Sequence, residues 1–447
     1  MQNNIQVWKF GGTSVGKPER MKSIRTLTTA DSGRKIVVLS ALSGTTNALV
    51  AIGQALFAKD KELALVEIEK LYLHYLEFIG ELFEREDSLE KGKKVVENEF
   101  NFIRSLAGLK HYTQKHDKEM IAQGEIMSTQ LFTAYMKEQG ESVVLIPALS
   151  FMRIDADNEP EFNTIETKLN DLLADQENKQ IVVTQGFICR NPRGEVDNLK
   201  RGGSDYTASL IGACINAEEI QIWTDIDGMH NNDPRIVKRT KPVRELSFEE
   251  AAELAYFGAK ILHPSTINPA KKRGVPVRLK NTMAPDAPGT LITSDSKNKA
   301  DVKAIAAKDG VTAIYIHSTR MLNAYGFLRK VFDIFERFKT PVDMITTSEV
   351  SVAVTIDNSE NLEHITKMLS QIAELEEHDR NQSIICIVGD FLADKEGIAI
   401  KILEAVRHIP IRMISYGASE HNMSLLIDSK HKNDALEALN EKLFTFD

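Results

Sequence analysis

Ile5–Pro18 reads IQVWKFGGTSVGKP, an apolar run that ends in a lysine and a glycine pair. Gly11, the four residues after it, Gly16 and Lys17 fit the phosphate-loop pattern G-x-x-x-x-G-K-[ST] until its last place, where Pro18 stands. That place requires a hydroxyl to meet magnesium, and proline has neither hydroxyl nor N–H. Proline does suit the first turn of a helix, where its absent donor costs nothing. The sequence therefore predicts a strand over IQVWKF, a tight turn at Gly11-Gly12, and a helix from Pro18 that carries Arg20, Ile24 and Leu27. Lys9, at the strand's end, is then the cation of interest rather than Lys17, because the bare backbone of Gly11 and Gly12 lets an anion approach closely. A plain strand-to-helix turn uses the same residues.

Outward from this turn, further strand-like runs alternate with helical patterns as far as about Thr293: KIVVLSAL, SVVLIPAL, QIVVTQGF, IQIWTDIDG and VPVRLKN. Runs apolar on both faces and separated by helices predict a mainly parallel sheet with helices on both sides. Lys59–Lys110 has no strand-like run and no proline, while Leu63, Val66, Leu71, Tyr75 and Phe78 recur at helical spacing, which predicts a helical insertion. Its charged stretch ELFEREDSLEKGKK reads as a solvated face. Glycine and hydroxyl clusters follow three of the strands, at Gly11–Ser14, at Ser40–Asn47 (SALSGTTN) and at Gln185-Gly186-Phe187. In open α/β sheets, ligands bind at the carboxyl ends of the strands, so these clusters should meet in one cleft.

The chain has 447 residues, too many for one ordinary core, and its 42% apolar and 27% charged residues are those of a globular protein. A net charge of -9 argues against nucleic acid or an anionic membrane as partner. Three cysteines, Cys189, Cys214 and Cys386, lack C-x-x-C spacing, so neither a disulfide framework nor a zinc site is expected. With no signal-like apolar run at the amino end, the expected location is the cytoplasm.

From about Ile305 the texture changes to short strands and amphipathic helices: VTAIYIH, YGFLRKVFDIFERFK, VDMITTSE and SVAVTID. A similar order returns in ICIVG, GIAIKILEAVRHI, IRMISYGASE and MSLLIDS, and Pro341–Thr346 resembles Pro410–Ser415. Two small α+β modules are expected.

Four more segments carry chemistry. Arg201–Thr207 (RGGSDYT) begins a helix; Ser204 or Asp205 is placed to cap it, but a cap explains neither the glycine pair nor Arg201, whose fork suits a carboxylate or phosphate. Trp223–Gly228 (WTDIDG) lacks the glutamate of a calcium loop, and with Arg235 in DPR it reads better as a nucleotide loop. Ser247–Glu250 (SFEE) has the form of a capping box, and its helix leads to Lys260 in FGAKILHP. His263 has no second histidine or cysteine at ligand spacing. Glu125, in QGE at a helix start, either complements the helix dipole or binds an amine.

KFGGTSVG, SALSGTTN, QGEIMST, TQGF, RGGSDYTA, WTDIDG, DPR and FGAKILHP stand in the order found in aspartokinases, members of the amino-acid kinase family, and MLNAYGFLRKVF with VDMITTSEVSVAVTID resembles the ACT modules of the monofunctional, lysine-sensitive type. The resemblance covers nearly the whole chain. It implies an amino-acid kinase fold over residues 1–295, with the helical insertion at about 59–110, and two ACT-like modules over 303–447. It also implies transfer of the γ-phosphoryl of Mg-ATP to the β-carboxylate of L-aspartate, giving 4-phosphoaspartate, the first step toward lysine, threonine and methionine.

By the same resemblance Lys9 neutralises the transferring phosphate, Gly11, Gly12 and Ser40 offer donors around it, and Asp205 orients the cations. Arg201 takes an aspartate carboxylate and Glu125 its ammonium, with Thr46, Phe187 and Ser204 lining that pocket. Thr224, Asp225, Arg235 and Lys260 fall at nucleotide positions. His230 stands where relatives often carry a tyrosine near the base. Met321, Ala324, Phe327, Leu328, Val342, Asp343, Ser348 and Glu349 fall at the lysine-effector positions, with Asn323 and Ala324 replacing polar residues. No protein metal ligand is implied, and a homodimer through the ACT modules, or a tetramer, is the expected assembly. The rival readings are a kinase of glutamate or a nucleoside monophosphate, and an amino-acid sensor without catalysis. A fused homoserine dehydrogenase is not expected at this length.

Overall fold

The structure is a computed structural model that describes residues 5–199, 202–258, 264–318, 321, 325–376, 378–390 and 392–445. The chain divides into two compact units that interleave in sequence: residues 1–229, 244–248 and 262–295 form one, and residues 230–243, 249–261 and 296–447 the other.

The first unit is built on strands β1 (Ile5–Phe10), β2 (Arg34–Leu39), β3 (Val143–Leu145) and β4 (Ile181–Gln185), a small hairpin of β5 (Ile188–Arg190) and β6 (Val196–Asn198), then β7 (Ile220–Thr224), β8 (Glu245–Ser247), β9 (Val277–Asn281) and β10 (Thr290–Thr293). Among the described residues, all of these but the hairpin form one sheet in the order β3-β4-β2-β1-β7-β9-β10-β8. Every neighbouring pair is parallel except β9 with β10. Ile36, Val37, Val38 and Leu39 are all buried, so β2 is covered on both faces, as its unbroken apolar run requires. β1 lies between β2 and β7, with Lys9 beside Val38 and Ile222. This central place brings the turn after Phe10 to the carboxyl end of the sheet.

Pro18 occupies the first turn of the helix Pro18–Thr28, and Lys17 is exposed. After the helix Thr45–Phe57, two helices, Lys61–Leu82 and Glu86–Ala107, fill the predicted strand-free stretch. The face of Lys61–Leu82 differs in part from the sequence expectation. Leu63 and Val66 are exposed, while Ala64, Ile68, Leu71, Tyr75, Phe78 and Leu82 carry the buried stripe. Steps of three and four from Ala64 follow one face of a 3.6-residue helix, and Leu63 and Val66 fall off it. Every charged residue in ELFEREDSLEKGKK is exposed.

The second unit holds β11 (Ala304–His317), β12 (Ile345–Thr347), β13 (Ser351–Ile356), β14 (Glu374–Leu375), β15 (Asp379–Val388), β16 (Ile411–Tyr416) and β17 (Asn422–Asp428). They form an antiparallel sheet in the order β12-β13-β11-β15-β17-β16, with β14 on β11. Ala304–Lys308 of β11, and past a bulge Val311 and Ala313, pair with β15, while Thr312–His317 pairs with β13. The two α+β modules thus share a strand. Each keeps its own core: Ile314, Ile316, Phe327, Val331, Val354 and Ile365 in one, and Ile385, Ile387, Ile402, Leu425, Leu436 and Leu439 in the other. The similar segments Pro341–Thr346 and Pro410–Ser415 lead into the end strands β12 and β16.

Candidate active site

In the first unit, Lys9 and Asp205 meet. Lys9 Nζ lies 2.6 Å from Asp205 Oδ1, joining the end of β1 to the first turn of the helix Gly203–Cys214. The paired glycines before Asp205 are explained by conformation, since Gly202 (φ +68°) and Gly203 (φ +41°) both adopt a left-handed backbone that a side chain would strain. Neither Ser204 nor Asp205 caps the helix, whose N-cap is Gly202 without a side-chain bond. Ser40 Oγ instead donates to Ser204 Oγ at 2.9 Å, and Ser128 Oγ donates to the Ser40 carbonyl at 2.8 Å. The hydroxyls of RGGSDYT and SALSGTTN are thereby tied to one another across the ends of two strands.

Ser40 and Ser204 border a cleft of about 440 Å³ that is also lined by Gly12, Thr46, Glu125 and Phe187, among others. Five expected substrate positions, from four separate segments, thus share one wall with Gly12. Phe187 is held there by its backbone: at φ +69° it is the centre of a three-residue turn in which Ile188 N–H donates to Gly186 O at 2.7 Å. Turns of this hand are strained for a side-chain-bearing residue and persist where the surroundings fix them. The Thr207 hydroxyl accepts from Phe187 N–H at 2.9 Å, and Gly186 has no room for a Cβ against Ser204. Gly11 leaves the space that the Lys9 ammonium borders, and a Cβ on Gly12 would stand 3.1 Å from the Ala41 carbonyl.

Glu125 is the electrostatic anomaly of the cleft. Its side chain is buried, Oε1 accepts from Ala41 N–H at 3.3 Å, and Oε2 has no hydrogen-bond partner. Burial pushes its carboxyl up to about 7, with the Ala41 bond pulling back only partly. A carboxylate without a cation in a low-dielectric wall is costly, and an arriving ammonium removes that cost.

Thr224 ends β7 in the first unit and Asp225 follows it; the Thr224 hydroxyl donates to Asp225 Oδ1 at 3.1 Å, and Asp225 is exposed. His230 and Arg235 belong to the second unit: His230 Nδ1 lies 2.9 Å from Thr240 Oγ1, and the Arg235 fork grips Asp233 with Nε–Oδ1 at 2.9 Å and Nη2–Oδ2 at 2.7 Å. Arg201 and Lys260 lie outside the described residues, as do Asn323 and Ala324. Of the other effector positions, Phe327 is buried with Met321 and Val342 packed on its core, while Leu328, Ser348 and Glu349 are exposed. The Ser348 hydroxyl closes the β12–β13 turn by accepting from Ser351 N–H at 3.1 Å. The Asp343 side chain is buried and joined to Lys308 at 2.7 Å and to the Tyr256 hydroxyl at 2.8 Å. The sequence reading passed over Lys308, Tyr256 and Ser128; a lone lysine in the apolar run of β11 was the available signal for the first.

A profile of the amino acid kinase family matches residues 4–281, more than half of the chain, and one of the ACT domain matches residues 385–443. The chain is 33% identical to the lysine-sensitive aspartokinase 3 of Escherichia coli, over 99% of this chain and 100% of that one. The chain belongs to the amino acid kinase family, among its aspartokinases. Aspartokinase 3 of Arabidopsis thaliana, a chloroplast protein, is 36% identical over 99% of this chain and 82% of its own length. Among solved structures, E. coli aspartokinase III in complex with aspartate and ADP, in the R-state, is similar with a TM-score of 0.85 at 32% identity, over 99% of this chain and 100% of that one. The same enzyme in complex with lysine and aspartate, in the T-state, gives 0.81 over the same shares. The parallel sheet, the flanking helices and the antiparallel ACT-like sheet of this aspartokinase are those expected from its sequence.

Proposed function

We infer that this chain is an aspartate kinase, which transfers the γ-phosphoryl group of ATP to the β-carboxylate of L-aspartate and is inhibited by lysine. The bond from the γ-phosphorus to the β,γ-bridging oxygen breaks and a bond to a carboxylate oxygen forms; ADP leaves and 4-phospho-L-aspartate remains. Both reactants are anions, so positioning and fixed positive charge carry the catalysis, and no side-chain nucleophile is required.

The observation that carries this reading is the cleft that gathers Ser40, Thr46, Glu125, Phe187 and Ser204 beside Gly12. Glu125 suits the substrate ammonium, because its buried Oε2 awaits a donor. Lys9, aimed by Asp205, suits the transferring phosphoryl over Gly11 and Gly12, where the backbone admits it. Arg201 is assigned the α-carboxylate and Thr224, Asp225, His230, Arg235 and Lys260 the nucleotide, from the resemblance. Among the described residues, no cluster of His, Cys, Asp or Glu has the makings of a metal cage. Magnesium fits as an ion that arrives on the nucleotide phosphates, whose charge it neutralises.

We assign catalysis to residues 1–295 and regulation to residues 303–447, with the ACT-like modules pairing two chains. Among the described residues no helix is long and apolar enough to cross a membrane, and the proposed location is the cytoplasm. The test is ADP release with L-aspartate, L-glutamate or UMP, with and without lysine or threonine. Turnover with aspartate alone, suppressed by lysine, is expected; comparable turnover of glutamate or UMP would overturn the assignment.

A further inference from the structure

The helix Phe248–Tyr256 shows along one face how it is held in the second unit. Glu250 is fully buried against Lys303, Nζ to Oε1 at 2.6 Å. Glu253 accepts from Asn422 at the start of β17, and the Tyr256 hydroxyl donates to Asp343 Oδ1 at 2.8 Å. Steps of three residues place neighbours next to one another on a helix, so these three anchors form one slanting stripe. Immediately after it Gly258, at φ +119°, lies against the Ala307 carbonyl with no room for a Cβ. The helix end is therefore seated on β11 next to Lys308, and Lys260 follows two residues later in the chain.

Asp343 is the one anchor partner that is also an effector position. Its two oxygens are unequal. Oδ1 takes both the Tyr256 hydroxyl and the Lys308 ammonium, at 2.8 and 2.7 Å, while Oδ2 is buried and has no partner among the described residues. The Asp343 backbone is fixed independently, its N–H donating to Thr355 O at 2.8 Å. Lys308 keeps a second carboxylate, Asp357, at 2.8 Å, and its ammonium lies 4.5 Å from the centre of the Tyr256 ring. A vacant acceptor thus sits on a carboxylate whose other oxygen holds the helix.

We propose that Tyr256 is a positioning residue through which the effector site and the nucleotide segment compete for one carboxylate: an effector ammonium on Oδ2 drains charge from Asp343, weakens the Tyr256 bond on Oδ1, and loosens the end of the helix that leads to Lys260. This rests on the effector reading of Asp343. Because Asp343 is already fixed by its backbone and by Lys308, removing the tyrosine hydroxyl does not disorder it and removes only the competing donor. Reciprocity then sets the sign: whatever lysine weakens must in turn weaken lysine binding.

The test is Tyr256→Phe, which keeps the exposed ring and its edge contact with Phe257. The half-inhibiting lysine concentration should fall about three- to tenfold, the change that one hydrogen bond supports. Without lysine, the KM for ATP should rise while the KM for aspartate and the melting temperature stay at parental values. In the parent, lysine should speed amide exchange at the carboxyl end of this helix, and in the variant exchange should already be fast. A variant with parental half-inhibition and parental KM for ATP overturns the proposal, provided that Asp343→Ala loses lysine sensitivity. If Asp343→Ala is inhibited like the parent, the effector reading fails, and this inference with it.

Discussion

Glu125 in the first unit and Asp343 in the second are both buried carboxylates with one unpartnered oxygen, yet their surroundings differ in kind. Glu125 meets only backbone N–H groups, that of Ala41 and its own, and its carboxyl is pushed up to about 7 by burial. Asp343 is also raised by burial, but Lys308 and the Tyr256 hydroxyl pull against that shift. Burial likewise works against the Lys308 ammonium, and the bonds to Asp343 and Asp357 outweigh it, raising its pKa. The cleft carboxylate has no cation bonded to it, whereas Asp343 already has Lys308. On the proposed reading, one group binds and releases a substrate, and the other lets a ligand modify contacts that exist without it.

The comparison can be broken first at the Lys9–Asp205 pair, the proposed phosphoryl site. Lys9→Ala removes the cation that Asp205 holds, and kcat should fall about 10²- to 10³-fold, the scale for losing a fixed donor to developing charge. Steady-state kinetics on the folded variant check this, and near-parental turnover would take Lys9 out of the reaction. In the regulatory unit, Asp343→Ala should raise the half-inhibiting lysine concentration about 30-fold or more, since truncating one partner of a buried charged pair costs at least about 2 kcal/mol. Turnover at saturating ATP without lysine should remain, with the KM for ATP raised as in Tyr256→Phe, because both variants lose the same bond. A lysine titration of the two proteins decides it.

A smaller effect sharpens the contrast through pH. The folded protein keeps on Glu125 a proton that the unfolded chain gives up near 4.5, so stability falls as pH rises from there through about 7. Glu125→Gln is isosteric with the protonated form and escapes this loss. Denaturant unfolding should find variant and parent alike near pH 4.5, and the variant more stable at pH 8 by about 1 to 3 kcal/mol. Equal stability at pH 8 would mean that the buried carboxylate is compensated by a group not seen here.

Much of this was legible in the chain. Pro18 ended the phosphate-loop reading and started a helix, and the unbroken apolar runs of β2 and β4 marked strands covered on both faces. Hydroxyl clusters at strand ends did converge in one cleft, because a parallel sheet brings all such ends to one side. The phase of the helix Lys61–Leu82 was not legible: Leu63 and Val66 are as apolar as the buried set, and only packing tells which stripe faces inward. The SFEE segment has the form of a cap, and nothing in it announces that Glu250 also pairs with Lys303, a partner 53 residues away. Lys308 and Tyr256 acquire meaning only through contacts with Asp343 that local patterning cannot express.

The most direct measurement of the central claim compares binding of L-aspartate with that of succinate, which lacks only the ammonium, to the parent and to Glu125→Gln. If Glu125 awaits the substrate's cation, the parent binds aspartate about 10- to 100-fold more tightly than succinate, the worth of a charged hydrogen bond, and the variant loses most of that preference. A preference that survives unchanged in Glu125→Gln would contradict the account.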